Sequence, residues 1–202
     1  FFGNVVLLPL WLQQWMGYTA SWAGVAMAPV GLLAILLSPW VGRRVGRLDP
    51  RRFVTLAFLG FATVLWMRSR FTTEVPLEVI LLPIFLQGAA MAFFFIPLQS
   101  ITLTPEEMPG AAGLSNFLRI TAGAVGTSLF TTWWDQRAAL HHSRLAEALQ
   151  AGHLPFNQAL DPLVAAGMTR EQALAAVNRL LDQQAYTMGM TDLYLLSAGL
   201  YL

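Results

Sequence analysis

Long apolar runs alternate with short charged patches along the chain. Residues 1–42 carry no charge, nor do 53–67 or 79–105, and 108–134 holds one, Arg119. A bilayer core about 30 Å thick takes roughly 20 apolar helical residues, because in lipid each backbone polar group must be bonded within the structure. Several such runs in series predict an all-α fold, a polytopic bundle of membrane helices. The first run is too long for one crossing, since 42 residues make a helix of about 63 Å. Gln13-Gln14 and Gly17-Tyr18-Thr19 mark the break, with Thr19 or Ser21 placed to cap the next helix. The later spans then cover about 22–42, 53–67, 79–103 and 111–134, with Pro29, Pro83 and Pro97 inside them. Trp11, Trp15, Tyr18 and Trp22 gather at the first turn, Trp66 precedes Arg68 and Arg70, and Trp133-Trp134 ends the last of these spans. Aromatic residues so placed are expected at the membrane interface.

Ten of the 23 charges fall between Asp135 and Asp192. The stretch 135–151 reads as a helical continuation ended by Gly152 and Pro155. Thr169-Arg170-Glu171-Gln172 has capping-box spacing, after which Ala173, Val177, Leu180 and Leu181 share one helix face. Such a helix lies on the membrane, caps the bundle or meets a partner. The expected divisions are membrane helices over 1–134, an outer helical loop over 135–190, and the start of a last membrane helix over 191–202. Phe1 and Leu202 both lie inside apolar runs, so both ends are expected to be cut within helices. Five Arg and one Asp crowd into 43–52, which the positive-inside rule places in the cytoplasm. Parity then puts 135–190 on the opposite side.

Composition agrees with this layout. Hydrophobic residues make up 56% and charged residues 11%, against about 25% charged in ordinary globular chains. Mean hydropathy is +0.55. All twelve basic residues are Arg, and the net charge is +1, so bulk charge gives no support to nucleic-acid binding. The absence of Cys excludes a disulfide scaffold and thiolate chemistry. No nucleophile–base set, phosphate-cradling glycine loop or carboxylate pair is present, so no enzyme is expected.

Four stretches, taken in order, carry a family resemblance. They are Tyr18-Thr19-Ala20-Ser21-Trp22-Ala23-Gly24 leading to Ala28-Pro29-Val30-Gly31; Ser38-Pro39-Trp40-Val41-Gly42-Arg43 with Leu48-Asp49-Pro50-Arg51-Arg52; Phe94-Phe95-Ile96-Pro97-Leu98; and Leu114-Ser115-Asn116-Phe117-Leu118-Arg119 with Ala122-Gly123-Ala124-Val125-Gly126-Thr127-Ser128. The chain resembles the EmrB-type multidrug exporters, the fourteen-span drug/proton antiporter branch of the major facilitator superfamily. The resemblance implies the C-terminal half of that fold, in a multi-pass protein of the bacterial inner membrane. It also implies efflux of hydrophobic drugs or toxic compounds driven by a proton gradient, with no cofactor. Expected partners are membrane lipid, hydrophobic substrates, a periplasmic adaptor and an outer-membrane channel. No acidic residue falls in a span, so the coupling acid is expected in a preceding N-terminal half. Alternatives are a same-fold carrier for a sugar, organic acid or siderophore, and, in another class, a membrane scaffold or membrane enzyme.

Arg119 is the sharpest candidate. A charge at such depth needs solvation, a partner or substrate, unless its long side chain snorkels to the headgroups. Gln87 and Asn116 are polar at comparable depth and read either as substrate contacts or as interhelical ties. Met91 and Phe94, with Phe93 and Phe95, offer soft and aromatic surface of the kind promiscuous sites use; lipid contact or core packing is the alternative. The family's cytoplasmic gating motif maps onto Gly42, Arg43, Asp49, Arg51 and Arg52. A plain basic loop explains these Arg but not Asp49. Pro29, Gly31, Pro97, Gly123 and Gly126 are assigned to helix kinking and packing. His141, His142 and His153 invite a metal reading, but neighbouring His side chains on a helix diverge by about 100°, so no metal site is assigned.

Overall fold

The computed structural model describes residues 1–102, 108–151 and 153–202, with the side chains of 100–110, 112 and 150–156 outside the described set. Among the described residues the regular structure is helical: α1 (Phe2–Gln14), α2 (Ala20–Met27), α3 (Pro29–Val45), α4 (Pro50–Arg68), α5 (Leu77–Thr102), α6 (Met108–Ala151), α7 (His153–Ala165) and α8 (Arg170–Leu200).

Local chemistry sets the boundaries. The chain leaves α1 through Gly17 at φ +73°, a left-handed conformation that glycine adopts without steric cost. The Thr19 side chain then accepts the Trp22 N–H and caps α2. Pro29 lacks an N–H and stands at the start of α3, so α2 and α3 form one apolar rod kinked at Ala28. Asp49 caps α4, accepting the Arg51 N–H at 3.0 Å, with Pro50 pre-set for the first turn. The expected capping box opens α8, where Thr169 and Gln172 bond each other's backbone. Among the described residues two stretches are long and apolar enough to cross a membrane, 20–45 with mean hydropathy 1.9 and 77–99 with 2.3.

The main helix pairs are α3 with α5, α4 with α5, and α6 with α8. The principal core gathers Leu7, Leu8 and Trp11 of α1, Ile80 and Ile84 of α5, and Met190 and Tyr194 of α8. Around it, large apolar side chains face outward, including Ile35 at 72% and Leu114 at 64% exposure. Water penalises such a surface by about 25 cal/mol per Å². It is the expected outside of a bundle whose solvent is lipid.

Four expectations change. Trp11 is a core residue with no exposed surface, and its indole N–H donates to Thr187 Oγ1 at 2.9 Å, whereas Trp22, Trp66 and Trp133 are exposed as a belt requires. Arg68, read as part of an interface, is fully buried. The helical continuation expected after 134 is present, since α6 runs through 134–135, but α8 also runs unbroken through 190–191, where the start of a separate last helix was expected. What remains as a cap is α7 with the ends of α6 and α8, held by Leu160, Ala173 and Val177. Finally, Gly31 and Gly126 have nothing within 4 Å of where a Cβ would stand, so they mediate no close approach among the described residues. Gly88 does, since a Cβ there would overlap the Val30 carbonyl, while Gly123 lies against the Phe2 ring. Gly88 is thus where the backbone of α3 comes closest onto α5, at Val30 and Ala34.

Candidate functional site

Three of the five candidate binding residues meet. Met91 of α5 and Asn116 and Arg119 of α6 line one open cavity of about 590 Å³, together with Phe1, Phe2, Phe95, Ile120 and Gly123. Asn116 and Arg119 lie three residues apart on one helix face, so Asn116 Oδ1 accepts an Arg119 Nη2–H at 2.7 Å. Among the described residues the lining is aromatic and aliphatic apart from this amide–guanidinium pair and contains no carboxylate. Its volume suits a drug-sized molecule, for which cavities of about 300–1,000 Å³ are usual. Arg119 is exposed at the wall of this cavity.

Gln87 and Phe94 lie elsewhere. Phe94 enters an aromatic cluster with Phe58 at 5.7 Å and Phe61 at 5.9 Å, tying α5 to α4. Gln87 is buried, and its Oε1 accepts an N–H from Arg68. This is the tie between helices that the sequence offered as one of its two readings. The Arg68 guanidinium carbon also lies 5.8 Å from the Tyr194 ring centroid, within cation–π range. Among the described residues Asn4 Oδ1 has no hydrogen-bond partner, and the Arg68 guanidinium also interacts with the buried Tyr194 hydroxyl. Sequence reasoning missed Arg68 because Trp66 and Arg70 flank it, and all three look interfacial. In fact Trp66 and Arg70 are exposed and contact each other, with the guanidinium carbon 5.0 Å from the ring.

The basic loop is exposed at Gly42, Arg43, Asp49, Arg51 and Arg52. Arg44 lies over Trp40 at 3.9 Å, and Trp40, Arg43, Arg44 and Arg47 line an open cavity of about 440 Å³. Asp49, which a plain basic loop left unexplained, has a local role as the α4 cap.

Comparison with known proteins follows this geometry. The whole chain is 40% identical over 210 residues to the multidrug export protein EmrB of Escherichia coli K12, and covers 40% of that protein. It is 38% identical over 205 residues to the fatty acid resistance protein FarB of Neisseria gonorrhoeae, again over the whole chain and 40% of the relative. An MFS-type transporter of Bacillus subtilis, YhcA, is 26% identical over 71% of the chain and 28% of its own length. The chain belongs to the EmrB-type exporter family. It spans about 40% of the length of the curated relatives it matches, the C-terminal part. No family model and no solved structure matches it.

Beyond its cavity, this EmrB-type chain is stitched at one end by polar links to α8. Arg137 donates to Asp192 Oδ2 from Nε at 3.1 Å and Nη2 at 2.6 Å, and His141 Nε2 lies 2.8 Å from the same oxygen. His142 Nε2 lies 3.2 Å from Asn178 Oδ1 and 3.4 Å from Asp182 Oδ1. The two His thus reach different acids, as their angular separation requires; the His153 side chain lies outside the described residues. Tyr186 stacks on Trp15 at 4.3 Å, and its hydroxyl donates to Asp135 at 3.3 Å. Burial pushes the Tyr186 phenol above its ordinary pKa, and the Asp135 carboxylate adds to that shift.

Proposed function

We propose that the chain is the part of a bacterial inner-membrane exporter that binds hydrophobic toxic compounds in the cavity between α1, α5 and α6 and releases them in exchange for protons. The observation that carries this reading is the 590 Å³ apolar cavity with a single polar pair, Asn116–Arg119, at its wall. Apolar walls bind through burial and tolerate varied shapes, while one or two polar groups orient the ligand. A cation without a carboxylate beside it favours amphiphiles that carry a negative group, and FarB is named for resistance to fatty acids, which have that chemistry. EmrB is named for multidrug export, which agrees with a wall of Met and Phe. With no acid in the lining, proton coupling is assigned to carboxylates elsewhere in the transporter. The cytoplasmic placement of 43–52 and the opposite placement of the α7 cap complete the reading. The cap is the proposed contact for a periplasmic adaptor leading to an outer-membrane channel.

The test is a chimera in which residues 1–202 replace the matching stretch of Escherichia coli EmrB, reconstituted in liposomes. Efflux of a lipophilic anionic dye is expected to accelerate under an inward proton gradient and to weaken in R119A. Equal efflux with and without the gradient overturns the antiport assignment. Replacing 153–166 by a short Gly/Ser linker is expected to abolish adaptor co-purification while preserving vesicle transport; unchanged co-purification removes the cap from the contact.

A further inference from the structure

Arg137, His141 and Asp192 meet outside the binding cavity in an arrangement that a plain ion pair does not require. Gly189 of α8 admits the α6 backbone so closely that a Cβ there would stand 3.1 Å from the Ala138 nitrogen and 3.4 Å from the Arg137 Cβ. About one turn on from this contact, Asp192 presents a single oxygen to α6. Its Oδ2 accepts Arg137 Nε–H at 3.1 Å and Nη2–H at 2.6 Å, and His141 Nε2 lies 2.8 Å from it. An ionised carboxylate has about four lone-pair positions over its two oxygens, hence about two on each. Three nitrogens therefore contest one atom.

Access divides the three. Arg137 and Asp192 line an open cavity of about 310 Å³ with Trp133, Gln136, Leu193 and Leu196. The His141 side chain is only 10% exposed, against 47% for Arg137 and 34% for Asp192. The carboxylate thus joins a solvent-open cation to a buried imidazole. The neighbouring charged and titratable groups are engaged elsewhere. His142 meets Asp182 at 3.4 Å, and Asp135 takes the Tyr186 hydroxyl. Arg144 and Glu147 of α6 and Asp161 of α7 are exposed, and α1 has no charged side chain. Arg68 of α4 lies against Tyr194, which is two residues and about 200° round α8 from Asp192.

Donor and acceptor roles decide where a proton goes. A carboxylate held by a guanidinium only accepts, so His141 Nε2 carries its hydrogen toward Asp192 and Nδ1 is the atom left to take a proton. Uptake forms an Nδ1–H bond and breaks an O–H bond of a hydronium ion, which leaves as water. The contact with Asp192 then joins two full charges and competes with Arg137 for the same oxygen. The half-exposed guanidinium has water to turn to. Before uptake the bound pair is Arg137–Asp192 beside a neutral imidazole; after it, the pair is His141–Asp192, with Arg137 released to the cavity.

We propose that His141 and Asp192 form a proton-binding site where α6 and α8 meet, in which the bound proton and Arg137 compete for Asp192 Oδ2. Its role rests on the antiport reading above: the site lies at the end of the bundle from which protons enter, and taking one up loosens the Arg137 link between the two helices.

Histidine-selective ¹⁵N labelling of the chain in detergent, with H141Q to assign the signal, follows the His141 imidazole through a pH titration. R137Q is expected to move its protonation to higher pH and D192N to lower pH, each by about one pH unit. R179A, which removes an exposed Arg from α8, is expected to leave it in place. In the D192N background R137Q is expected to move it less than R137Q does alone, because the contested oxygen is gone. Should D192N fail to fold, R137Q tests the competition by itself at its half-exposed position. A His141 signal that does not respond to pH, or a titration that R137Q leaves unmoved, overturns the proposal. In the EmrB chimera, H141Q is expected to lose the acceleration of dye efflux by an inward proton gradient, and R179A to keep it. Full acceleration in H141Q overturns the coupling role. If the unsubstituted chimera shows no acceleration, the antiport reading fails, and the titration still decides the proton site.

Discussion

Arg68 and Arg119 carry the same charge in the same bundle and have opposite fates. Arg119 is exposed on α6, bonds Asn116 three residues away, and opens to a wide cavity. Arg68 ends α4 in full burial, bonded to Gln87 of α5 and set against Tyr194 of α8. The first opens to a cavity; the second bonds α5 and lies against α8. A charge in a membrane helix therefore marks a site only once its neighbours are known, because the penalty of depth is met either by access or by built-in partners.

The largest expected effect breaks this contrast directly. R68A leaves a void and strands the Gln87 carbonyl, so it is expected to cost about 2–5 kcal/mol of stability, measured by unfolding in mixed micelles. R119A is expected to leave stability within about 0.5 kcal/mol while lowering efflux in the chimera about tenfold, the equivalent of one charge-assisted hydrogen bond. R119K is expected to restore part of that loss, since an ammonium lacks the planar fork. Equal destabilisation by R68A and R119A would erase the distinction. Thr169→Ala removes the capping box of α8 and is expected to cost about 1 kcal/mol, read as faster hydrogen exchange over 170–176.

The smallest effect concerns pH. The folded chain holds the Tyr186 proton more tightly than the unfolded chain does. The linked stability is therefore fully present below the ordinary tyrosine pKa of about 10 and is lost as pH rises through the folded value. Tyrosinate absorbance should show a late-titrating group that Y186F removes; an unchanged titration in Y186F would place the shift elsewhere.

What the sequence revealed was local. Thr19, one of two caps the sequence offered, and Thr169 with Gln172 act within a few residues of themselves and lie where the spacing put them, whereas the Asp49 cap of α4, equally local, was not read from the sequence. Asn116 and Arg119 were singled out separately; their spacing of three residues, which puts them on one helix face, was not used to pair them. Arg68 was not legible, because its burial depends on Gln87 and Tyr194, 19 and 126 positions away along the chain. Gly88 likewise looks ordinary until Val30 from another helix is seen against it. Trp11 misled by standing beside true belt residues while its indole pointed inward to Thr187. Period and capping chemistry specify elements, whereas which face meets which neighbour is set by contacts that no window along the chain contains.

The unbroken run of α6 has a mechanical consequence. From Trp134 to Ala151 the helix continues for 17 residues, about 26 Å, without proline or glycine to absorb a bend. Arg137, His141 and Asp192 clamp it to α8 near the base of that arm, so the two rods turn as one lever. A tilt of about 10° at the base, modest for a rigid-body rearrangement, sweeps the tip through about 4–5 Å. A tilt of that size at the base would therefore be carried to the α7 end as a displacement of several ångströms.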